Sequence, residues 1–416
     1  MKRVPSDLAI LGGTPEFPIQ LHVGQPNIGN RRKLHERLDD ILDRRWLTNN
    51  GVYVQELERR VAALTRAKHC VAVCNGTTAL EIAIRALELR GEVVVPSFTF
   101  VATAHALQWQ QIAPVFCDID PETHTLAPRR VAECITQRTT GIVATHTWGR
   151  LADVDELSRI ARARGLRLLF DAAHAFACSR DGTMVGNFGD GEILSFHATK
   201  FFNTFEGGAI VTNNDELAGR ARLMRNFGFA GYDNVVDIGI NGKMCEVAAA
   251  MGLTSLEDLD SFIAINRRNY DAYRREIEGV PGCRMLRHGD AGRSNYQYVV
   301  VEIDAAAAGL TRDVLTQVLH AENVIARRYF YPGCHRMEPY RTLYPGAGSR
   351  LPETESLAQR VLVLPTGTAV SEESVAGVCH VIKFSLAHAG TIRAAVDPTG
   401  LGCVAPATTP PRRMLS

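Results

Sequence analysis

Between residues 70 and 213 the chain repeats one pattern, in which a short continuous apolar run is followed by a stretch with helical periodicity. Because the runs are apolar at consecutive positions, both faces of each predicted strand must be buried. Strands of this kind, separated by helices, form right-handed βαβ units in a mostly parallel, doubly wound α/β sheet. The predicted strands are 70–74, 92–96, 114–119, 141–146, 166–171, 192–197 and 208–213, with helices over 77–89 and 153–165.

The pattern changes after about residue 250. A long helical stretch at 255–278 leads into the run "YQYVVVEI" (296–303) and a helix near 311–322, which predicts a smaller α/β domain. The final residues are rich in Pro, Thr and Ala, a composition typical of disorder. We therefore predict an N-terminal arm (1–25), a large domain (26–255), a small C-terminal domain (256–395) and a disordered tail (396–416).

Composition and charge exclude several classes of protein. The formal net charge is +1, whereas a nucleic-acid footprint needs a strong basic excess. The ten cysteines are scattered and form no C-x-x-C pair, so we expect reduced, buried thiols and predict no metal site. The N-terminus lacks a long apolar core, and the uncharged stretch 93–117 is interrupted by polar residues and prolines. We expect a cytoplasmic protein without a membrane span.

Ligands of open α/β sheets bind beyond the carboxyl ends of the strands, where this chain carries several polar residues. Gly76 and Thr77 open a helix, and the free N–H groups at a helix start suit a phosphate, although Gly-Thr-Thr is also a good cap. Either Phe98 or Phe100, which follow the next run, could reach the same edge, and each is either a core or a stacking aromatic. Asp171 ends the run 166–171 and is either a cap or a charge for a cationic ligand. His174, three residues on, is either a structural histidine or a ligand contact.

A lysine follows the run 192–197. The chain has six lysines against forty arginines, yet Lys200 lies among Phe196, Phe201, Phe202 and Phe205. A buried lysine is costly unless it is paired or neutralised, and a covalent bond to an aldehyde cofactor removes that cost. A phosphate site, a stacking aromatic, a carboxylate for a ring nitrogen and a buried lysine are together what pyridoxal 5'-phosphate requires.

Five segments resemble one family. "NGTTAL", "PSFTFVATA", "FDAAHAF", "SFHATKFFNTFEGGAIVTN" and "GINGKMCEVAAAMG" together resemble the DegT/DnrJ/EryC1/StrS sugar aminotransferases, and the resemblance runs from about residue 25 to 390. It implies the three-layer α/β sandwich of the type I pyridoxal-phosphate transferases. It also implies a homodimer with shared active sites. Lys200 would bond to pyridoxal 5'-phosphate, which alternates with pyridoxamine 5'-phosphate.

The resemblance also implies a part for each remaining candidate. The implied cofactor residues are Gly76, Thr77 and Ser195 at the phosphate, Asn241 at the phosphate from the other subunit, Phe100 and His174 at the ring, and Asp171 at the ring nitrogen. The implied sugar-site residues are Arg328, Tyr329 and His335, in the segment "ARRYFYPGCH". Lys243 stands where relatives often carry arginine, and the resemblance gives it no defined role.

The resemblance favours one substrate class. The cluster "SFHATK…FEGGA" is similar to enzymes that aminate C4 of a nucleotide-linked 4-keto-6-deoxyhexose, whereas enzymes acting at C3 more often read "SFYPGK…GDGG". We therefore expect dTDP-4-keto-6-deoxy-D-glucose and L-glutamate to give dTDP-4-amino-4,6-dideoxy-D-glucose and 2-oxoglutarate. Such a deoxyaminosugar belongs to an antibiotic or polysaccharide pathway.

Other functions stay open at the level of sequence. The substrate could be a 3-ketosugar, a GDP-linked ketosugar or a keto-cyclitol, because no motif identifies the nucleobase. Lys200 argues against the relatives that carry histidine there and catalyse deoxygenation, and the Lys200–Asp171 pair argues against a silent regulatory protein. A dinucleotide-dependent oxidoreductase is disfavoured because no G-x-G-x-x-G follows the first strand.

Overall fold

The structure is a computed structural model and describes residues 1–289 and 292–396. The predicted disordered tail lies outside these residues, apart from Val396. The strands are β1 (Leu21–His22), β2 (His69–Val73), β3 (Glu92–Pro96), β4 (Ala113–Cys117), β5 (Thr139–Thr145), β6 (Arg167–Asp171), β7 (Ser179–Arg180), β8 (Thr183–Met184), β9 (Gly191–Ser195), β10 (Gly208–Thr212), β11 (Cys283–Met285), β12 (Val299–Ile303), β13 (Val324–Ile325) and β14 (Val361–Leu364).

The helices connect and cover these strands. They are α1 (Arg31–Arg44), α2 (Val52–Thr65), α3 (Gly76–Ala86), α4 (Ala102–Gln108), α5 (Pro128–Cys134), α6 (Val154–Arg164), α7 (Asp215–Met224), α8 (Glu246–Glu257), α9 (Leu259–Ile277), α10 (Ala305–Ala308), α11 (Arg312–Ala321), α12 (Tyr340–Leu343), α13 (Pro352–Ala358), α14 (Glu372–Ala387) and α15 (Ala389–Ala395). In the described ranges no single helix is long and apolar enough to cross a membrane. The pair α14 and α15, bent by 83°, meets that criterion jointly by length and composition.

Seven strands form the central sheet, in the order β2-β10-β9-β6-β5-β3-β4. All neighbours are parallel except β10, which runs antiparallel to both β2 and β9. The mostly parallel sheet predicted from the apolar runs is therefore confirmed. Because β10 reverses direction, its first residue Gly208 lies beside Ser195, the last residue of β9. The connection that carries Lys200 thus begins and ends at the edge where the parallel strands finish.

Burial on both sheet faces explains the continuous apolar runs. Along β2, Val71 and Val73 belong to the core that includes α3, whereas Cys70 and Ala72 belong to the core that includes α2. Side chains of a strand alternate between the two faces, so helices on both faces require apolar residues at every position. The result is the three-layer sandwich.

The predicted helix at 255–278 is two helices in the structure. One helix, α8, ends at Glu257 and the next, α9, begins at Leu259, so Asp258 separates them. The Asp258 carboxylate accepts a hydrogen bond from the backbone N–H of Asn30 at 2.9 Å, and its own backbone leaves the helical conformation. The apolar periodicity of the stretch did not reveal this break.

A second, three-stranded antiparallel sheet has the order β11-β12-β14 and forms a separate core with α9, α11 and α14. The N-terminal residues pack onto this core, because β1 pairs in parallel with β13, where Leu21 lies opposite Val324. The amine of Lys2 forms an ion pair with Glu322 at 2.8 Å in the same region. The domain boundaries at residues 25, 255 and 395 stay a prediction.

Candidate active site

A cavity of about 670 Å³ opens at the carboxyl ends of the parallel strands, where ligands of such sheets bind. It is lined by eight of the eleven residues predicted from sequence. Seven of them lie at or just after the ends of four strands, β2, β3, β6 and β9, and the eighth comes from the small sheet's side of the molecule. These eight are Gly76, Thr77, Phe100, Asp171, His174, Ser195, Lys200 and Tyr329.

The start of α3 forms one wall of the cavity. Asn75 caps this helix, and its side-chain oxygen accepts from the backbone N–H of Thr78 at 2.8 Å. The N–H groups of Gly76 and Thr77, at the first two helical positions, have no partner within the helix. Ser195 lies directly opposite, since a Cβ added to Gly76 would come within 3.1 Å of the Ser195 Cβ. Backbone N–H groups and a hydroxyl therefore converge where an anion could bind.

Glycine at position 208 makes this close approach possible. A Cβ at Gly208 would lie 2.6 Å from the Asn75 carbonyl carbon and 2.7 Å from the Gly76 nitrogen, both backbone atoms that cannot move aside. The sequence "EGGA" is thus explained by contact between β10 and the start of α3.

Asp171, the last residue of β6, presents a carboxylate to the cavity. One oxygen accepts from the Thr103 hydroxyl at 2.8 Å, and the other accepts from the backbone N–H of Ala173 at 3.1 Å. Burial raises the pKa of Asp171, while these two hydrogen bonds and the charge of Lys200 act in the opposite direction. The donors fix the orientation of the carboxylate at the cavity wall.

Lys200 carries its amine into the same cavity. Burial lowers the pKa of Lys200 from 10.5 to about 8, although the charge of Asp171 opposes that shift. Its Nζ atom donates a hydrogen bond to the Tyr298 hydroxyl at 3.3 Å. An amine with a pKa near 8 exchanges protons readily near neutral pH, which suits a general acid and base.

His174 has a defined hydrogen-bonding state. Its Nδ1 atom accepts from the backbone N–H of Trp148 at 3.2 Å. Burial, aided by the charge of Lys200, holds the pKa of His174 well below its usual value, so the ring is neutral. A neutral imidazole that accepts at Nδ1 carries its proton on Nε2 and is a donor there. His174 therefore offers the cavity an N–H group.

These residues fit pyridoxal 5'-phosphate. Ser195 and the start of α3 can bind its phosphate, Asp171 can pair with its ring nitrogen, and Lys200 can bond to its aldehyde. Phe100 lines the cavity and is 58% exposed, so its ring is available for stacking. The close contact between Asn75 and Gly208 and the lowered pKa of Lys200 are not needed for a cleft without function, so both favour a ligand-binding site.

Three predicted residues do not line this cavity. Arg328 forms an ion pair with Asp313 at 2.8 Å and lines an adjoining cavity of about 290 Å³. His335 is 2% exposed and bonds to Ser97 at 2.7 Å and to Glu355 at 2.8 Å. These partners fix the His335 side chain within the protein, away from the cavity predicted to hold the sugar.

Asn241, the third of them, is exposed and forms a bridge with Asn226. The contact of Asn241 with the phosphate of a second subunit stays a prediction, because the structure contains one chain. Lys243, close by, donates to the Asn226 side chain at 3.1 Å and lies over the ring of Phe227.

Sequence reasoning missed three residues of the site. Tyr298 and Arg327 line the cavity, and Thr103 holds Asp171. Arg327 immediately precedes Arg328, and its guanidinium lies over the ring of Tyr329. Tyr298 stands in "YQYVVVEI", and the polar residues at the start of this apolar run could have indicated a site residue. Thr103 lies one helical turn after Thr99 in "FTFVATA", a spacing that places both hydroxyls on one face.

Comparison with known proteins agrees with this geometry. The model of the DegT/DnrJ/EryC1/StrS aminotransferase family matches residues 30–383. The chain is 37% identical to the dTDP-4-amino-4,6-dideoxy-D-glucose transaminase of Shigella dysenteriae, over 87% of this chain and 98% of that protein. It is 31% identical to the GDP-perosamine synthase of Escherichia coli O157:H7, over 87% of this chain and 97% of the relative.

The solved structure of DesI in the presence of its TDP-sugar product superimposes with a TM-score of 0.89 and 47% identity, over 94% of this chain and 99% of DesI. The fold and the site together define the class of pyridoxal-phosphate-dependent aminotransferases. Within that class, the chain belongs to the DegT/DnrJ/EryC1/StrS aminotransferase family.

Proposed function

We propose that this enzyme transfers the amino group of L-glutamate to C4 of dTDP-4-keto-6-deoxy-D-glucose, which yields dTDP-4-amino-4,6-dideoxy-D-glucose and 2-oxoglutarate. The observation that carries the proposal is the convergence of Lys200, Asp171 and the start of α3 on one cavity. Its substrate rests on the similarity to the Shigella transaminase and to DesI, which are more similar to this chain than the GDP-perosamine synthase is.

Each residue has a stated task in this proposal. When bound, pyridoxal 5'-phosphate supplies the electron sink that lets an amino group move between carbon skeletons. Ser195, Gly76 and Thr77 bind the phosphate, Phe100 covers the ring, and Asp171 keeps a proton on the ring nitrogen. The Nζ atom of Lys200 takes a proton from the donor carbon and returns one to the sugar carbon. His174 offers the N–H group of Nε2 to the bound ligand as a hydrogen-bond donor.

A mass-spectrometric screen tests the substrate. The purified enzyme, loaded with its cofactor, is incubated with L-glutamate and one keto-sugar nucleotide at a time. We expect amination of the dTDP-linked 4-ketosugar, with 2-oxoglutarate formed in equal amount. Faster amination of a GDP-linked 4-ketosugar, a 3-ketosugar or a keto-cyclitol would contradict the proposed substrate. The Lys200→Ala protein is the matched blank.

We also propose a homodimer with shared active sites. The segment 227–240, which leads to Asn241, exposes seven large apolar side chains to solvent: Phe227, Phe229, Tyr232, Val235, Val236, Ile238 and Ile240. An apolar surface concentrated in one short segment is typical of a face that a partner covers. A second copy of the chain is the partner we propose, with Asn241 reaching the neighbour's phosphate site.

A mixed dimer tests this assembly. Asn241→Ala should weaken cofactor binding without changing the lysine. If Asn241 serves the neighbouring site, a heterodimer of Lys200→Ala and Asn241→Ala chains has both defects in one site and an intact second site. We expect co-expression to restore activity relative to either homodimer. Given an impaired Asn241→Ala homodimer, absence of recovery would show that Asn241 acts within its own subunit.

A further inference from the structure

Tyr298 lies beside the reactive lysine and is held firmly in place. It directly precedes β12 and is 6% exposed. Its ring centroid lies 4.3 Å from that of His174, and it meets the ring of Trp148 edge-on at 5.4 Å. These contacts fix the ring, and the hydroxyl lies 3.3 Å from the Nζ atom of Lys200.

We propose that Tyr298 is a positioning residue, whose hydroxyl holds the Lys200 amine in place for proton transfer while that amine is not bonded to the cofactor. The inference rests on the proposed transamination and adds a residue to it. Across the described ranges 1–289 and 292–396, the Tyr298 hydroxyl is the one hydrogen-bond partner found for the Lys200 Nζ.

In the described residues, no other group that faces Lys200 forms a hydrogen bond with its amine. Asp171 acts on Lys200 through its charge, and both of its oxygens already accept from Thr103 and Ala173. His174 is neutral and uses Nδ1 to accept from Trp148. Without Tyr298, the amine would have no directional contact when it leaves the cofactor, and its flexible side chain would have to find the reacting carbon from many rotamers.

A phenol suits both protonation states of the amine. Burial keeps the pKa of Tyr298 well above its usual value, so the hydroxyl stays protonated at neutral pH. A hydroxyl accepts from an ammonium N–H and donates to the lone pair of a neutral amine. The contact can therefore persist as Lys200 gains and loses a proton.

The same cavity supplies a matched control. Tyr329 also lines it, and its ring centroid lies 6.4 Å from that of Tyr298. No hydrogen bond joins Tyr329 to Lys200 in the described structure. Replacing either tyrosine with phenylalanine removes one hydroxyl and keeps the ring, so the two variants differ in which hydroxyl is lost.

The experiment measures Lys200 directly and needs no sugar. Wild-type, Tyr298→Phe and Tyr329→Phe enzymes are loaded with pyridoxamine 5'-phosphate, which leaves the Lys200 amine free. They are treated with trace acetic anhydride from pH 6 to 10, and acetylation of Lys200 is measured by mass spectrometry. The exposed Lys33 is the internal reference. Thermal unfolding of each variant verifies that the fold is retained.

We expect Tyr298→Phe to lower the half-point of Lys200 acetylation by roughly 0.5 to 1 pH unit, because a hydrogen bond to the charged ammonium is stronger than one to the neutral amine. The rate of the half-reaction with glutamate should fall about three- to ten-fold. Tyr329→Phe should leave the half-point unchanged.

An unchanged half-point together with a glutamate rate within two-fold of wild type in Tyr298→Phe, or equal shifts in both variants, would overturn the proposal. Failure of the sugar screen alone would leave the Lys200 measurement valid, so the two proposals can be judged separately.

Discussion

Lys2 and Lys200 both carry their amines into the protein, but into opposite surroundings. The Lys2 amine donates to the carbonyl oxygens of Asp7 and Thr14, at 2.8 and 2.5 Å, and forms an ion pair with the buried Glu322 at 2.8 Å. Among the described residues, the Lys200 amine has one hydrogen bond, to the Tyr298 hydroxyl at 3.3 Å, and it lines a cavity. The Lys2 ammonium has three hydrogen-bond or ion-pair partners, whereas the Lys200 amine can still form further hydrogen bonds.

The difference distinguishes a lysine that stabilises the fold from a lysine that takes part in a reaction. A buried ion pair that meets all its hydrogen bonds is a fixed part of the packing, and removing one partner leaves an uncompensated charge. An amine held away from water without such partners has a lowered pKa and stays reactive. The burial of a lysine therefore does not reveal its role, whereas the number of its hydrogen-bond partners does.

The largest effect is expected for Lys200→Ala. Transamination should fall by roughly three orders of magnitude or more, because no other residue supplies this amine. Non-covalent binding of pyridoxamine 5'-phosphate should remain, since Ser195 and Asp171 are untouched. With both proteins saturated in that ligand, the unfolding midpoint should stay within about 2 °C of wild type. A large loss of stability would mean that Lys200 is structural, like Lys2.

Asp171→Asn should be nearly as damaging to turnover, with a loss of roughly two to three orders of magnitude, because the ring nitrogen loses its anionic partner. The same change removes the charge that raises the pKa of Lys200. The half-point of Lys200 acetylation should therefore move to lower pH. Movement to higher pH would show that Asp171 does not act on Lys200 by charge.

Lys2→Met should affect the stability of the fold and not the activity. The change leaves Glu322 buried with two backbone donors, from Ala9 and Glu16, but without its cation. We expect the free energy of unfolding to fall by about 3 to 5 kcal/mol, measured by urea denaturation, with turnover per folded molecule unchanged.

The matched variants are Glu322→Gln and the double change Lys2→Met with Glu322→Gln. Removing both charges should cost less than the sum of the two single changes, because no lone charge remains. Strict additivity would mean that Lys2 and Glu322 are not energetically coupled.

The continuous apolar runs located the sheet well, since 92–96 is strand β3 in the structure, and the other predicted strands differ from the observed ones by a residue or two at their ends. Because both faces of a central strand are buried, that strand is apolar at consecutive positions and the sequence pattern shows it. The break at Asp258 was missed because it depends on a contact with Asn30, which is distant in sequence.

The site could be predicted where residues follow parallel strands, because those ends meet at one sheet edge, and Gly76, Asp171 and Lys200 all line the cavity. Tyr298 and Arg327 reach it from more distant parts of the chain, which local pattern does not place. Arg328 has the same side chain as its neighbour Arg327, but it pairs with Asp313 instead, and His335 pairs with Glu355. Only the three-dimensional packing separates these residues from the cavity.

The contacts of the N-terminal residues also bear on how the chain is made. Ala9 and its partner Glu322 are 313 residues apart, and Leu21 pairs with Val324. At a synthesis rate of roughly 5 to 20 residues per second, the segment around Ala9 emerges from the ribosome on the order of 15 to 60 seconds before its binding surface exists. The central sheet, which lies between them, can assemble in that interval. The residues around Ala9 are thus translated long before they can dock, and their docking requires the completed C-terminal core.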